Sequence, residues 1–320
     1  MRAIIQNAYG APSVLHLTEL SKPVPKDHEV LVKLAATTVT SGDARMRAFD
    51  VPAMFWLPGR LFMGITRPRK NVLGAEFAGT IEAVGKAVTK FRTGDAVFGL
   101  HVYDCYADYK TVPETAAIAL KPAGMSFDEA AALPFGALTA LHFLLAGKIK
   151  AGDQVLINGA SGAVGTAAVQ LAKYFGATVT GVCSTANVDL VKSLGADAVI
   201  DYASADFTTG GARYDIIFDT VGKTSFARCR AIMQPDARYL AAVMSPGAIG
   251  WALWTSLSGR RKLIGGISVP RQENLQLLAG LVEAGRLWPV IDRHYDLDEI
   301  VAAHAHVDTG HKRGAVVVRL

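Results

Sequence analysis

The sequence predicts an α/β protein with a doubly wound parallel sheet and a second, β-rich domain that is partly barrel-like. Two observations predict it. Within residues 153–182 a strand, a glycine turn, an amphipathic helix and a second strand follow one another, and strands continue to alternate with helical segments beyond them. Earlier in the chain, short β-like runs are broken by Gly and Pro, as in an antiparallel or barrel domain.

Residues 1–122 form the predicted β-rich domain. Its strand candidates are Val30–Ala35, Thr80–Val84, Ala96–Gly99 and Tyr109–Val112. A capping-box pattern from Ser126 to Glu129 then starts a helix that is interrupted near Pro134 and continues to Ala146. This helix opens the second predicted domain, residues 123–268.

The central strand–turn–helix unit carries the most specific signal. Val155–Ile157 is an apolar run typical of a buried strand, and Ala163–Lys173 has the apolar spacing of a helix. The glycines of the turn between them are Gly159, Gly162 and Gly165. The strict G-x-G-x-x-G pattern is not met, because its first glycine falls on Ala160. A glycine turn between a strand and a helix nevertheless predicts a dinucleotide whose pyrophosphate lies on helix N–H groups.

Six strands with helical connections suit the parallel sheet. The candidates are residues 155–158, 178–182, 198–200, 215–218, 239–243 and 262–265. Gln272–Ala284 is predicted to be a helix with Gly285 in its C-terminal cap, and the tail ends in a strand over Ala315–Leu320. Because this tail has the mixed texture of the first third, residues 269–320 are predicted to complete the β-rich domain.

The composition is that of a folded globular protein, with 51% hydrophobic and 19% charged residues. The chain has no uninterrupted apolar stretch long enough for a transmembrane helix, so none is predicted. Three widely spaced cysteines argue against a disulfide framework and a structural zinc site, and they favour a cytoplasmic location. The net charge of +5 is scattered, which favours a solvated surface over a nucleic-acid groove.

Several segments together resemble the medium-chain dehydrogenase/reductases, and most of all their zinc-independent, quinone oxidoreductase-like branch. The segments are Gly74–Gly79 with Val84-Gly85, Gly94–Gly99, Ala131–Pro134 with Leu138–Ala140, and Gly310–Gly314. The resemblance covers the whole chain. It implies a Rossmann domain for the dinucleotide, a GroES-like catalytic domain and a homodimer.

Zinc is the deciding question within this resemblance. A catalytic zinc of such enzymes needs a histidine and a cysteine at set positions. Ala75 holds the histidine position, and the cysteine position falls near Ser41. We therefore predict no metal. His304 and His306 form a spaced pair, for which we expect a role as surface or interdomain polar residues.

The loop after the second strand of the unit favours NADPH. An NAD enzyme usually places an acid there, but the loop holds uncharged residues, and its first acid is Asp189. The resemblance adds Tyr202 beside the adenosine phosphate. The predicted contacts of this region are Cys183, Ser184, Thr185, Asn187 and Tyr202. Capping of the next helix by Ser184 and Thr185 is the alternative, and dual use of NAD and NADP stays open.

The remaining cofactor contacts are predicted from the turn, from strand ends and from the resemblance. The turn supplies Gly159, Ser161, Gly162, Ala163, Val164 and Gly165. Strand ends supply Val221, Ala242, Gly266 and Ile267, because ligands of such sheets lie there. The resemblance places Thr139 near the nicotinamide, with an ordinary helix threonine as the alternative, and Lys312 is predicted to reach a phosphate unless it is simply a surface lysine.

The predicted catalytic residues are Thr40, Asp43 and Tyr103. Relatives carry an N-x-x-D pattern beside the substrate where Thr40 and Asp43 stand, although the i, i+4 spacing of Asp43 and Arg47 favours a plain helical ion pair. On the loop after Gly99, an oxygen of the acceptor can receive a hydrogen bond from His101, Tyr103 or Tyr106. At least two of these three are expected on the surface.

The segment Phe49–Met63 is unusually apolar for a loop region, and Arg60, Arg67, Arg69 and Lys70 accompany it. It can line a hydrophobic substrate mouth, form a subunit contact or lie on a membrane surface, in that order of preference.

The function that these observations predict is metal-free hydride transfer from NADPH to a quinone or an α,β-unsaturated carbonyl, with a small apolar acceptor. Two alternatives stay open. One is an alcohol or aldehyde dehydrogenase of the same superfamily, and the other is a non-catalytic NADPH-binding sensor.

Overall fold

The computed structural model describes residues 1–51, 56–257 and 260–320. The chain forms two compact units. Unit 1 consists of Met1–Phe135 and Pro270–Leu320, and unit 2 consists of Gly136–Val269. The two ends of the chain therefore share one unit, and the middle forms the other.

The strands within the described residues are β1 (Arg2–Gln6), β2 (Leu15–Glu19), β3 (Glu29–Thr38), β4 (Glu76–Val84), β5 (Ala96–Leu100), β6 (Tyr109–Pro113), β7 (Ala117–Leu120), β8 (Gln154–Asn158), β9 (Thr178–Cys183), β10 (Ala198–Asp201), β11 (Tyr214–Asp219), β12 (Met233–Ala241), β13 (Lys262–Gly265), β14 (Ile291–Asp296) and β15 (Ala315–Arg319). The α-helices are α1 (Ser41–Ala48), α2 (Trp56–Met63), α3 (Phe127–Ala131), α4 (Pro134–Ala146), α5 (Ala163–Tyr174), α6 (Val188–Ser193), α7 (Phe226–Cys229), α8 (Pro246–Leu257), α9 (Gln272–Glu283) and α10 (Ile300–Asp308).

Unit 1 is built on a mixed sheet with the strand order β14-β15-β3-β4-β5-β7. The long strand β3 pairs with β4 along one edge, while β6 and β15 share its other edge, at residues 29–33 and 36–38. This branching, together with the register shifts between β3 and β4, is what a sheet that curls toward a barrel requires. The predicted β-rich, partly barrel-like domain is confirmed.

Unit 2 is a parallel sheet with the order β10-β9-β8-β11-β12-β13. All six predicted strands are present. Val155, Leu156 and Ile157 are fully buried, as expected for a strand covered on both faces. The prediction began β12 six residues too late, at Tyr239 in place of Met233. Its first half was hidden by the polar residues Gln234, Asp236 and Arg238 and by Pro235, and it is paired with β11 across a register shift.

The interrupted helix around Pro134 is also confirmed, since α3 ends at Ala131 and α4 begins at Pro134. Ser126 caps α3 with the predicted capping box. Within the described residues, the stretch Phe127–Ala146 is long and apolar enough to cross a membrane by length and composition. It is 67% buried inside the protein, as core helices are.

The predicted ion pair between Asp43 and Arg47 is wrong. The buried Arg47 guanidinium donates to the Gly10 carbonyl (3.0 Å) and to Asp308 Oδ2 (2.8 Å), and it lies 3.1 Å from His304 Nδ1. His304 is fully buried within unit 1, so its expected place at the surface or between domains is wrong as well. Burial, reinforced by the Arg47 charge, lowers the pKa of His304 to about 3, which leaves a neutral ring that accepts this bond.

The apolar segment Phe49–Met63 is not a loop throughout, because its second half is the helix α2. Four of its residues, Pro52, Ala53, Met54 and Phe55, lie outside the described residues. The guanidinium of Arg60 explains how α2 is held. It lies over the rings of Tyr9, Phe49 and Trp56, at 4.4, 4.1 and 5.3 Å from their centroids.

Candidate functional site

The predicted dinucleotide turn lies at the topological switch point of the parallel sheet in unit 2. The strand β8 has β9 on one side and β11 on the other, and α5 begins just after the carboxyl end of β8. Sheets of this kind leave a crevice at this point, where the first-turn N–H groups of the helix face a ligand. Ser161 to Val164 are half-exposed, whereas Gly165–Ala172 is buried. Only the mouth of the helix is therefore open to a ligand.

The three glycines of the turn have three different roles. Gly159 has a left-handed backbone (φ 81°), and a Cβ on it would lie 2.2 Å from Val221 Cγ2. A Cβ on Gly165 would lie 2.1 Å from the Gly159 carbonyl oxygen, so this glycine lets the helix pack directly on the turn. Gly162 has ordinary angles, and a Cβ there would come no closer than 3.7 Å to the chain.

Gly162 is therefore not required by the packing of the protein itself. It is the N-cap of α5 and offers no side-chain oxygen to the first-turn N–H groups. The first glycine of the G-x-G-x-x-G pattern is displaced by one residue, from position 160 to Gly159. Gly159 makes the tight turn that the first glycine of the pattern provides. The second glycine leaves the backbone open, and the third allows close helix packing.

Asp219, which the sequence analysis did not select, organises the neighbouring strand ends. Its Oδ1 accepts hydrogen bonds from Asn158 Nδ2 (3.0 Å) and from the backbone N–H groups of Val221 (3.2 Å) and Gly222 (3.0 Å), and its Oδ2 accepts from Tyr239 O–H (2.9 Å). It thereby fixes the loop that carries Val221 against Gly159. The sequence signal that could have identified Asp219 is an acidic residue at the carboxyl end of a buried strand.

The loop predicted to hold the adenosine end is a connected group of polar side chains. Asn187 Nδ2 donates to Ser161 Oγ and to Ser184 Oγ, both at 3.1 Å. Ser184 is the N-cap of the short 3-10 helix Thr185–Asn187, but its side chain makes no capping hydrogen bond, which argues against the capping alternative. The structure thus brings together residues from the turn and from the loop after β9.

An acid also reaches this loop, from the neighbouring strand. Asp201, the last residue of β10, accepts a hydrogen bond from Thr185 Oγ1 at 2.5 Å. That bond and others lower its pKa, so the group is anionic at neutral pH. The loop sequence contains no acid before Asp189, and only the parallel pairing of Asp201 with Cys183 places one here. Tyr202 follows it and is exposed.

The other predicted contacts of unit 2 lie on elements around the turn. Gly136 on α4 packs on the first turn of α5, since a Cβ on it would lie 2.4 Å from the Ala163 carbonyl oxygen, and Thr139 follows one helical turn later. Ala242 donates its N–H to the Asp219 carbonyl (3.0 Å). Cys183 is buried, which raises its thiol pKa to about 11, and the loop of Gly266 and Ile267 is exposed. Their contacts with a cofactor stay predictions.

Two acids of unit 1, Glu76 and Asp43, are buried, and Asp43 is one of the predicted catalytic residues. Glu76 accepts hydrogen bonds from Thr38 Oγ1 and from the Phe135 N–H (2.6 Å). Burial raises its pKa to about 7, and the neighbouring Asp43 adds to the rise. Burial likewise raises the pKa of Asp43 to about 6. Sequence reasoning quoted Glu76 as part of a motif but missed it as a titrating group.

The predicted catalytic residues Thr40 and Asp43 are hydrogen-bonded to each other. Thr40 is the N-cap of α1, its hydroxyl donates to Asp43 Oδ2 (2.6 Å), and the Asp43 N–H donates back to Thr40 Oγ1 (3.1 Å). Both side chains are buried. The capping box accounts for the observed conformation of the pair, and their catalytic role stays a prediction.

The loop with Tyr103 is held by a buried lysine. Tyr106 is fully buried, whereas His101 and Tyr103 are half-buried and keep part of their surface exposed. The lysine is Lys110, whose buried ammonium donates to the carbonyls of His101 and Tyr103. The same ammonium lies 3.2 Å from Cys105 Sγ. Tyr103 has a left-handed backbone (φ 73°), and burial raises its pKa.

The half-buried Lys312 donates a hydrogen bond from its ammonium to the Gly314 carbonyl (2.6 Å), and burial lowers its pKa to about 8. Its contact with a phosphate stays a prediction.

In residues 1–51, 56–257 and 260–320, no group of three or more His, Cys, Asp or Glu side chains is placed to hold a metal ion.

A β-rich unit combined with a parallel sheet and a glycine turn defines a two-domain dehydrogenase. Comparison with known proteins agrees: residues 26–142 match the alcohol dehydrogenase GroES-like domain and residues 194–318 match the family described as zinc-binding dehydrogenase. The chain belongs to the medium-chain dehydrogenase/reductase superfamily, in its quinone oxidoreductase-like branch. It is an oxidoreductase by its relatives.

Three similar proteins illustrate the range of the family. The 2-methylene-furan-3-one reductase of Solanum lycopersicum is 31% identical over 99% of this chain and 79% of its own. The chloroplastic NADPH-dependent alkenal/one oxidoreductase of Arabidopsis thaliana is 28% identical over the same shares. The structure of the quinone oxidoreductase from Coxiella burnetii superposes with a TM-score of 0.89, at 29% identity over 100% of this chain and 99% of that one.

Substituting two glycines of the turn should separate ligand binding from folding. Gly162→Ala is expected to leave the urea midpoint nearly unchanged, because its Cβ has room and its backbone is ordinary. It should weaken binding of NADPH at least tenfold, because the methyl group occupies the approach to the first-turn amides. Gly165→Ala should instead destabilise unit 2 by about 2–4 kcal/mol, because its Cβ meets backbone. Calorimetric titration and urea unfolding measure the two effects.

Gly152→Ala is the matched control, because Gly152 also lies in unit 2, has a left-handed backbone (φ 84°) and has nothing near its Cβ. It should cost about 1 kcal/mol in stability and leave affinity unchanged. Full affinity for NADPH in the Gly162→Ala protein would contradict the proposed role of the turn.

The raised pKa of Glu76 should appear in the pH dependence of stability. A carboxyl whose pKa rises on folding, here from 4.5 to about 7, stabilises fully below the unfolded value and loses that stabilisation as the pH rises through the folded one. Unit 1 should therefore become less stable between about pH 5 and about pH 8. Glu76→Gln, of equal shape, should flatten this slope in urea unfolding, with Asp43 supplying what remains.

Glu283→Gln is the control for the buried acid, because Glu283 is an exposed glutamate of the same unit. It should leave the slope as it is in the parent protein. A slope that Glu76→Gln does not alter would show that this carboxyl does not titrate in the range derived from its burial.

Proposed function

We propose that this protein reduces quinones or α,β-unsaturated carbonyl compounds with NADPH and without a metal. The observation that carries the proposal is the open N-terminus of α5, where Gly162 leaves the first-turn amides accessible although the packing of the protein does not require a glycine there. An unneeded glycine at a helix mouth is explained by a ligand that must approach the backbone closely.

The residues of this mouth would hold the diphosphate. The amides of Ala163, Val164 and Gly165 supply unpaired donors at the positive end of a helix, and the hydroxyl of Ser161 lies at the same edge. The bound nicotinamide would supply the hydride. Asp219 contributes by fixing the loop of Val221, which shapes the other side of the turn.

The preference for NADPH is proposed from the side chains at the end of β9. Ser184, Thr185 and Asn187 are uncharged donors and acceptors that suit a phosphate better than an acid would. The ring of Tyr202 is exposed and would stack on an adenine or a ribose. The anionic Asp201 opposes a second negative charge nearby, so we expect this preference to be moderate.

The proposal of metal-free chemistry rests on the donor set. Ala75 offers no ligand, and the Thr40 hydroxyl already bonds to Asp43. Cys105 is a poor zinc ligand, because it is fully buried and its thiol pKa is raised to about 11. These residues do not fit a zinc ion. A conjugated acceptor suits such a site, because the charge that follows hydride addition spreads onto an oxygen that hydrogen-bond donors can hold.

The names of the similar proteins agree with this acceptor class, since they include a furanone reductase, an alkenal/one oxidoreductase and a quinone oxidoreductase. A small apolar acceptor, a homodimer and a cytoplasmic location complete the proposal. The three free, buried cysteines suit a reducing compartment.

A panel of acceptors tests the proposed reaction. With pure protein and NADPH, quinones and enones should be reduced while simple aldehydes are not, as followed by the absorbance of the reduced nicotinamide. EDTA should leave the rate unchanged, and Gly162→Ala should raise the KM for NADPH. Oxidation of alcohols that EDTA abolishes would overturn the metal-free mechanism. Tight NADPH binding without turnover of any acceptor would favour the sensor.

Asp201 should limit the preference for NADPH. Asp201→Asn removes one negative charge beside Thr185, so the ratio of kcat/KM for NADPH to that for NADH should rise about fivefold. Initial rates with each coenzyme below saturation measure this ratio. Asp189→Asn removes an exposed charge from the next helix and should change the ratio little. An unchanged ratio, or a shift toward NADH, in the Asp201 variant would place the 2′-phosphate elsewhere.

A further inference from the structure

One surface of unit 1 is apolar and basic at once, and none of the residues proposed to hold the cofactor belongs to it. We name it the α2 surface; it consists of α2, Ile65, Arg67, Arg69 and Lys70. None of the residues of α2 is buried. The exposed fraction of its large apolar side chains is 51% for Trp56, 62% for Leu57, 55% for Leu61, 80% for Phe62 and 63% for Ile65. Contiguous exposed apolar side chains of this size mark an interaction site.

The charges of the α2 surface all have one sign. Between Asp50 and Glu76 the sequence has four cations, Arg60, Arg67, Arg69 and Lys70, and no acid. The last three are exposed. Arg60 is turned inward, where it lies over three aromatic rings and donates to the Ile65 carbonyl (3.0 Å). It therefore holds α2 against the unit while the other cations stay available around it.

A polar pocket adjoins these cations. Its volume is about 410 Å³, and its lining is Gln6, Asn7, Arg67, Pro68, Arg69 and Asn71. Gln6 is 1% exposed, and its side-chain Oε1 has no hydrogen-bond partner among the described residues. Two guanidinium groups suit a phosphate, and an unpaired amide oxygen suits a hydroxyl or amine beside it. A phosphate ester with a polar substituent has this combination of groups.

We propose that the α2 surface docks reversibly onto an anionic phospholipid membrane. The apolar side chains would enter the interfacial layer, Arg67, Arg69 and Lys70 would face lipid phosphates, and the pocket would receive a head group. A second copy of the chain is a poorer occupant, because a two-fold contact would bring the same cations against one another. This inference does not depend on the proposed reductase activity.

Vesicle sedimentation of the full-length protein tests the proposal. The protein should bind vesicles made of equal parts phosphatidylcholine and phosphatidylglycerol, bind phosphatidylcholine alone far more weakly, and be released by high salt. Arg67→Ser with Arg69→Ser should weaken binding about 25-fold, from about fivefold for each cation lost at an anionic surface. Leu57→Ser with Phe62→Ser should weaken binding to a similar or greater degree.

Matched variants in unit 2 control for charge and for exposed apolar area. Lys192→Ser with Arg213→Ser removes two exposed cations, and Leu253→Ser with Leu257→Ser removes two exposed leucines. Both should bind vesicles as the parent protein does, and circular dichroism melts should show that all four variants fold.

Three results would overturn the proposal. The first is equal binding to neutral and anionic vesicles or no binding to either, and the second is equal loss of binding in the control variants. The third is a Leu57→Ser, Phe62→Ser variant that binds vesicles as the parent protein does but has a lower mass in solution than the parent protein, as measured by light scattering. That result would assign the α2 surface to contact between copies of the chain.

Discussion

The structure of unit 2 depends on one close contact, that of α5 with the turn that follows β8. Gly165 lies so near the Gly159 carbonyl that no side chain fits between them. This contact sets the direction of the helix and brings its N-terminus to the carboxyl edge of the sheet. The amide donors and the helix dipole then point into the crevice without help from any charged side chain. The proposed ligand site thus depends on backbone packing more than on polar residues.

The two units treat buried polar groups in opposite ways. In unit 2, Asp219 is held by donors from Asn158, Tyr239 and two backbone amides, so its charge organises loops around the turn. In unit 1, Asp43 and Glu76 are buried with fewer donors, and burial raises the pKa of both. The first arrangement gives rigidity to a binding site, and the second gives carboxyl groups that exchange protons near neutral pH.

Much of the fold could be predicted, because its signals are local. The six strands of the parallel sheet are apolar runs, and the capping box at Ser126 and the break near Pro134 follow from a few adjacent residues. The wrong predictions instead concern contacts between residues that are far apart in the sequence. Arg47 was paired with Asp43 because they are four residues apart, whereas its partner Asp308 comes from a distant helix. The burial of Lys110, whose ammonium bonds to the loop of Tyr103, has no local signal either, because lysines are usually exposed.

The sequence by itself determined the class of this protein, since a glycine turn between a strand and a helix, with three spaced glycines, leaves few other structures possible. Only the tertiary structure decided the role of each glycine, because that role depends on how far an added Cβ would lie from the loop of Val221 or from the turn itself. The tertiary structure also decided where the charges lie. Asp201 accepts a hydrogen bond from Thr185, and Glu76 lies close enough to Asp43 for their charges to interact, because strand pairing and helix packing join segments far apart in the chain. Local patterns fix elements, but the electrostatics of a site depend on contacts between elements.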